Sequence, residues 1–268
     1  MNADDCAARL VAWFASWGSA LVAYSGGVDS TTVAAAAFRA MGRNMLAVQG
    51  LSPSVSERER HVAQVAASVI GMPFEQVHTG EMQVKSFVNN PSERCYHCKD
   101  ELYACLQAMK NNRRFEVVVD GTNADDLGDP HRPGIRAANE HKVMSPLAEL
   151  GLTKLQVRQI ASLWGLPNAQ KPASPCLSSR IPQGDLITPE KLRQVEMAEA
   201  FLVGIGCADV RVRHYGHLAR VEVPIGDFPK VLERRSQITE YLKTLGFAFV
   251  TLDLAGIRSG SLNYAVVR

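Results

Sequence analysis

The chain has 268 residues, 46% of them hydrophobic and 21% charged, with a formal net charge of +2. That composition excludes a disordered chain, and so small a positive excess argues against nucleic acid as a partner. Asp4 and Asp5 stand where a leader would be basic, and no run approaches the roughly 20 apolar residues of a membrane span, so a cytoplasmic protein without membrane contact is expected.

In chain order, a helix over about residues 3–16 precedes strands at 20–24, 45–50, 74–78, 116–120 and 142–144, with helical stretches between them. The helix from Ser56 carries Val62, Val65, Ala66 and Val69 on one stripe and is closed by Gly71, with Pro73 beyond. Strands alternating with helices predict an α/β fold, a doubly wound parallel sheet whose ligands gather beyond the carboxyl ends of its strands. Thr153 as N-cap with Gln156 three residues on starts a helix to about Trp164, and the proline-rich stretch after it reads as a hinge. Thr188 and Pro189 open a further helix to about Val203. Residues 208–214 and 218–223 alternate like paired strands, 227–245 reads as helical and 248–252 as a strand. The expectation is one domain over residues 1–185 and a small α+β domain over 186–268.

Between the first strand and an alanine-rich helix lies Tyr24-Ser25-Gly26-Gly27-Val28-Asp29-Ser30. The glycine pair permits a sharp turn with exposed N–H groups, and the helix N-terminus behind it offers unpaired donors and partial positive charge to phosphate. No Gly-Lys-Ser/Thr ending follows, so the loop suits pyrophosphate as a leaving group, the chemistry of adenylation. It resembles the SGGxDS loop of the PP-loop ATPases. On that reading Ser25, Gly26, Gly27, Asp29 and Ser30 surround the phosphates of ATP, with Asp29 orienting the loop or a Mg²⁺ ion. Gly121, Thr122, Asn123 and Asp125 follow another strand end and are candidates for nucleotide or metal, with a plain Asx-rich turn as the alternative. Ser52, after the second strand, is a candidate for the adenosine or an ordinary turn serine.

The six cysteines are Cys6, Cys95, Cys98, Cys105, Cys176 and Cys207, expected as thiols; Cys105 and Cys207, set among apolar residues, read as packed ones. Cys95-Tyr96-His97-Cys98 is a single CxxC, open to half a zinc site, a redox pair or two unrelated thiols. Cys176 lies in irregular, proline-flanked backbone before Arg180, a setting that favours thiolate and suits a nucleophile or ligand. Three thiolates from two segments suffice for a 4Fe-4S cluster with one iron left open to sulfide.

Taken together, Ser25 to Ser30, Asn90-Pro91 with Arg94 to Lys99, Asp120 to Asp126, Cys176 to Pro182, Val210 to His214 and Gly256 to Asn263 resemble the LarE family of ATP-dependent sulfur transferases along nearly the whole chain. The resemblance implies a pyridinium dicarboxylic acid mononucleotide substrate, adenylation of a ring carboxylate, and displacement of AMP by sulfur to give a thiocarboxylate for the nickel-pincer cofactor. It implies a 4Fe-4S cluster on Cys95, Cys98 and Cys176 or, in the family's other type, sacrifice of the Cys176 sulfur itself. An assembly of identical subunits is also implied. Ser178 and Gln183 depart from the family pattern. Arg180 is the candidate for steadying charge on the adenylate, with a structural salt bridge as its alternative. Arg211 and Arg213, alternating on one strand face, are candidates for the substrate phosphate or equally a solvated strand face; Glu196 and Glu199 are possible metal contacts or a polar helix face. Arg258 and Ser259 are left without a role. Rival readings are a tRNA thiolase, an NAD synthetase-like amidotransferase and a nucleotide sensor.

Overall fold

The computed structural model describes residues 2–128, 133–172 and 174–258. These fall into two compact units, Met1–Phe87 with Glu93–Ser174, and Val88–Ser92 with Pro175–Arg268. The division thus falls at Ser174, ahead of the expected 185, and carries Cys176 and Arg180 into the second unit.

The first unit is built on four short apolar strands. Helix α1 (Ala3–Ala15) leads to β1 (Ala20–Ala23), α2 (Val28–Met41), β2 (Met45–Leu51), α3 (Glu57–Ile70), β3 (Phe74–His78), α4 (Lys85–Val88), α5 (Arg94–Arg113), β4 (Val117–Val119), α6 (Gly134–Glu140), α7 (Pro146–Glu149) and α8 (Lys154–Leu163). The strands pair in the order β3-β2-β1-β4, all parallel. Successive residues of β1 enter opposite layers: Ala20 and Val22 pack with Phe14, Val33 and Ile160, whereas Leu21 and Ala23 pack with Tyr103 and Leu106. Burial on both faces explains why β1 has no polar residue and why helices cover the sheet on each side, as an α/β fold requires. The chain runs outward from β1 to β3, then returns to place β4 on the other side of β1. A crevice therefore opens beyond the carboxyl ends of β1 and β4, where the strand order reverses.

The expected strand at 142–144 shrinks to a single bridge between Val119 and Met144. Lys142 sits at φ +53°, a left-handed position that ends α6, and Pro146 begins α7 two residues after Met144, which leaves no room for a longer ladder.

In the second unit, α9 (Pro189–Gly204) precedes β5 (Arg211–Tyr215), β6 (Leu218–Glu222), α10 (Phe228–Glu233), α11 (Arg235–Thr244) and β7 (Phe249–Leu252). β5 and β6 form an antiparallel pair, with Gly216 at φ +62° in the turn, and β7 joins β6 in parallel. Ala198, Leu202, Val212, Val221, Ile238, Leu242 and Phe247 make its separate core. Val88–Ser92 is stitched to this unit: Ile187 N–H donates to Val88 O at 2.9 Å, Gly184 N–H to Asn90 O at 3.0 Å, and the Asn90 amide to Pro182 O at 2.7 Å.

Helix α8 starts on a full capping box, Thr153 accepting from Gln156 N–H while the Gln156 side chain accepts from Thr153 N–H at 2.9 Å. Thr153→Ala is expected to destabilise the first unit by about 1 kcal/mol, read from the urea midpoint at unchanged slope.

Candidate functional site

The loop between β1 and α2 is shaped by what cannot fit there. Gly26 lies at φ +74°, and a Cβ on it would stand 2.6 Å from the Ala63 Cβ of α3. Both the left-handed backbone and the contact with α3 demand glycine. Gly27 then caps α2 in extended conformation and, being glycine, offers no side-chain cap to the N–H groups of the first turn. Ser25 is exposed and Ser30 buried; their hydroxyls lie 3.1 Å apart, and the Ser30 hydroxyl also receives Ser25 N–H at 3.2 Å. The loop after β4 presses from the other side. A Cβ on Gly121 would come within 2.7 Å of Ser30 N, so backbone meets backbone at the sheet's reversal point.

That second loop is held by Asp120, which is 3% exposed and accepts from Tyr103 Oη at 2.7 Å, Thr122 N at 3.0 Å, Thr122 Oγ1 at 2.8 Å and Ser145 Oγ at 2.8 Å. Burial, then the adjacent Asp120 carboxylate, pushes the Tyr103 phenol well above its ordinary pKa and keeps it a donor. Asn123 Oδ1 receives Asp125 N–H at 3.0 Å, and Asp125 Oδ2 receives Lys154 N–H, the first of α8, at 2.8 Å. Thr122 and Asn123 thus spend these side-chain bonds on the loop, as an Asx turn does, while Gly121 touches the phosphate loop and Asp125 anchors α8. Ser52, just beyond the carboxyl end of β2, accepts Ser54 N–H at 3.2 Å in its own turn.

The anchored start of α8 brings up a residue that the sequence reading passed over. Lys154 Nζ is ion-paired with Asp29 Oδ2, while Asp29 Oδ1 is buried with no hydrogen-bond partner. The signal was present in Thr153-Lys154, read there only as a helix start. A mobile cation over an uncapped, glycine-turned helix N-terminus fits a polyphosphate, and a carboxylate with one unsatisfied oxygen fits a divalent cation beside it.

In the second unit the focus is Cys176, exposed at the head of a 3₁₀ turn (Leu177–Arg180). Arg180, 4% exposed, donates to Glu199 Oε1 at 2.9 Å and Oε2 at 3.2 Å, and to Pro175 O, Cys176 O and Ser179 Oγ at 2.7, 3.3 and 2.9 Å. Burial disfavours its charge, but the Glu199 carboxylate more than offsets this and the pKa is raised. All these bonds hold the loop that presents Cys176. Glu199 also receives Val212 N–H at 2.9 Å, which ties α9 to β5 and makes this carboxylate an ion-pair partner within the fold. Arg213, likewise 4% exposed, donates to Ser179 O at 2.9 Å and to the fully buried Glu222 at 2.8 Å. Arg211 is half-buried and donates to Arg258 O at 2.9 Å; burial, then the charges of Arg213 and Arg180, lowers its pKa, an environment that favours an anion. Arg211 and Arg213 therefore differ in exposure although they alternate on one strand. Ser259 and the rest of the terminal motif lie outside the described residues.

All six cysteines are thiols. Cys95, exposed, and Cys98, half-buried, sit three residues apart in the first turn of α5, on one helix face. Two soft sulfur donors at that spacing fit iron–sulfur ligation chemically. Among the described residues, no group of three or more His, Cys, Asp or Glu that could hold a metal ion is assembled. Burial raises the pKa of Cys105 and Cys207, in keeping with packed thiols. No helix among the described residues is long and apolar enough to cross a membrane.

No family model matches the chain. It is 45% identical over 258 residues to an uncharacterized protein of Synechocystis sp., covering 96% of each. It is 28% identical over 201 residues to a glutamine-hydrolysing GMP synthase subunit of Methanopyrus kandleri, covering 68% of this chain and 62% of that one. To the pyridinium-3,5-bisthiocarboxylic acid mononucleotide synthase of Lactiplantibacillus plantarum it is 36% identical over 260 residues, covering 96% of this chain and 93% of that one. A match of that extent takes in both units, phosphate loop and Cys176 loop alike, and the chain belongs to the LarE family, that of the pyridinium-3,5-bisthiocarboxylic acid mononucleotide synthase.

Proposed function

We propose that this protein is an ATP-dependent sulfur transferase that adenylates a carboxylate of a pyridinium dicarboxylic acid mononucleotide and converts it to a thiocarboxylate for the nickel-pincer cofactor. The observation that carries the reading is the uncapped N-terminus of α2, walled by Gly26 and Gly121 and faced by Lys154, in a chain of this family.

A carboxylate oxygen attacks the α-phosphorus of ATP, and the bond to the β-phosphate oxygen breaks with release of pyrophosphate. Gly27 and the first turn of α2 receive the leaving pyrophosphate and Lys154 neutralises its growing charge; Asp29 would hold a Mg²⁺ ion, which would supply further charge neutralisation. A sulfur nucleophile then attacks the acyl carbon, and AMP departs with the oxygen. Arg211 is the group suited to the substrate phosphate, since its surroundings favour an anion. Arg180 and Arg213 act at one remove, fixing the backbone that carries Cys176. Cys95, Cys98 and Cys176 would hold a 4Fe-4S cluster, which supplies a bound sulfide when present. An assembly of identical subunits and a cytoplasmic setting belong to the same reading.

A second reading rests on Cys176 itself. Its side chain is exposed while its carbonyl is fixed by Ser179 N–H at 2.9 Å and Ser179 Oγ at 2.7 Å, the presentation a sacrificial sulfur donor needs.

Lys154→Ala is expected to lower ATP–pyrophosphate exchange by on the order of 100-fold, about 2.7 kcal/mol of lost stabilisation. Normal exchange in that variant would remove Lys154 from the phosphate site. Glu199→Gln, which leaves the buried Arg180 without its counter-ion, should spare exchange yet abolish thiocarboxylate formation; equal loss of both would place Glu199 in the general stability of the chain. Anaerobic reconstitution with iron and sulfide separates the two sulfur sources. Cluster-level iron and visible absorption in the wild type, lost in Cys98→Ala, are expected. Absence of a cluster, together with a Cys176 that loses the mass of H₂S on turnover, would instead establish sacrifice.

A further inference from the structure

The carbonyl of Gly26 does not face the crevice; it is tied down from behind. Asn168, 4% exposed in the loop after α8, donates through its amide nitrogen to Gly26 O at 2.9 Å and to Thr31 Oγ1 at 2.6 Å. The Thr31 hydroxyl donates onward to Tyr24 Oη at 3.4 Å, and Tyr24 to Ala63 O at 3.2 Å. Each hydroxyl in this relay gives its one proton to the next group, which fixes the amide as well. A flipped Asn168 would set its oxygen against the Gly26 carbonyl and a Thr31 hydroxyl whose proton is already given away. In the orientation that works, both amide protons are used and Oδ1 is left buried without a partner.

We propose that Asn168 is a positioning residue for the phosphate loop, clamping the Gly26–Gly27 peptide so that its N–H faces the bound pyrophosphate. The step is geometric. In a trans peptide C=O and N–H point opposite ways, and the described backbone has no cis bonds, so holding Gly26 O toward Asn168 turns Gly27 N–H the other way. That N–H reaches Ser25 Oγ at 3.3 Å, a long bond that a phosphate oxygen can take over. Gly26, with no Cβ, has little of its own to keep this peptide from rotating. The clamp comes from the loop that Arg158 pins through Ala169 O and Lys171 O at 2.7 and 2.8 Å, so a segment far along the sequence sets the donor.

The inference rests on the ATP reading above, and the test keeps the two apart. Asn168→Asp keeps the shape and removes both donors. Calorimetry on the full chain, with inorganic pyrophosphate as one probe and adenosine as the other, is expected to show pyrophosphate binding weakened at least tenfold near pH 8 and adenosine binding retained. As pH falls towards about 5.5 the buried carboxyl takes up a proton and regains one donor, so the deficit relative to wild type should shrink. Equal pyrophosphate affinity in variant and wild type would overturn the clamp and leave the ATP reading intact. Loss of adenosine binding along with pyrophosphate, without recovery at low pH, would also overturn it, assigning Asn168 to the stability of the unit. A wild type that binds neither pyrophosphate nor ATP would overturn the ATP reading itself.

Discussion

The site depends on two close approaches that leave no room for a side chain on the glycines that make them. At Gly26 the neighbour is Ala63 of α3, and at Gly121 it is Ser30 of α2. Each contact lies closer than an added methyl group allows, so the loop is closed in by the Ala63 methyl and backbone at Gly26 and by the Ser30 peptide at Gly121. Peptide walls bring fixed dipoles and N–H donors that need little reorganisation when an anion arrives. A single methyl at either position would push these neighbours apart.

The chemistry is divided between the units. In the first, the proposed polyphosphate site combines helix dipoles, the Lys154 cation and the half-satisfied Asp29 carboxylate. In the second, arginines are buried deeply and paired with carboxylates, Arg180 with Glu199 and Arg213 with Glu222. Ion pairs this buried are a poor source of stability, because desolvation offsets most of their attraction. Their geometry accounts for them better: both guanidiniums reach into residues 175–179 and hold carbonyls that a mobile loop would leave to water. The rigidity is local to the strand of chain on which Cys176 is displayed.

Much of the fold was legible because it is written locally. Apolar runs gave the four parallel strands, Thr153 with Gln156 gave the start of α8, and Thr188 with Pro189 gave that of α9. The glycine pair marked the turn between β1 and α2 for the reason the structure displays, a left-handed Gly26 with no room for a Cβ. What stayed hidden is held by partners distant in sequence. Lys154 looked like one more residue of a helix start, since nothing nearby reveals that Asp125 aims α8 at Asp29. Asn168 drew no notice in the proline-rich stretch, because its partners lie 142 and 137 positions away. Arg180 gave no local sign of Glu199, and the missing ladder at 142–144 was decided by a left-handed Lys142 that no pattern announces.

The five residues Val88–Ser92 have a consequence for how the protein comes into being. They enter the second unit before α5 of the first has been made, and Asn90 finds its partners Ile181 and Pro182 at separations of 91 and 92 residues. On the ribosome, this stretch emerges with its partners still unsynthesised and must wait for them through the making of the rest of the first unit. No single cut can divide the protein into two autonomous halves, because the chain passes between them three times. A fusion or truncation at one point in the chain therefore cannot add or remove the second unit whole, because Val88–Ser92 would stay behind.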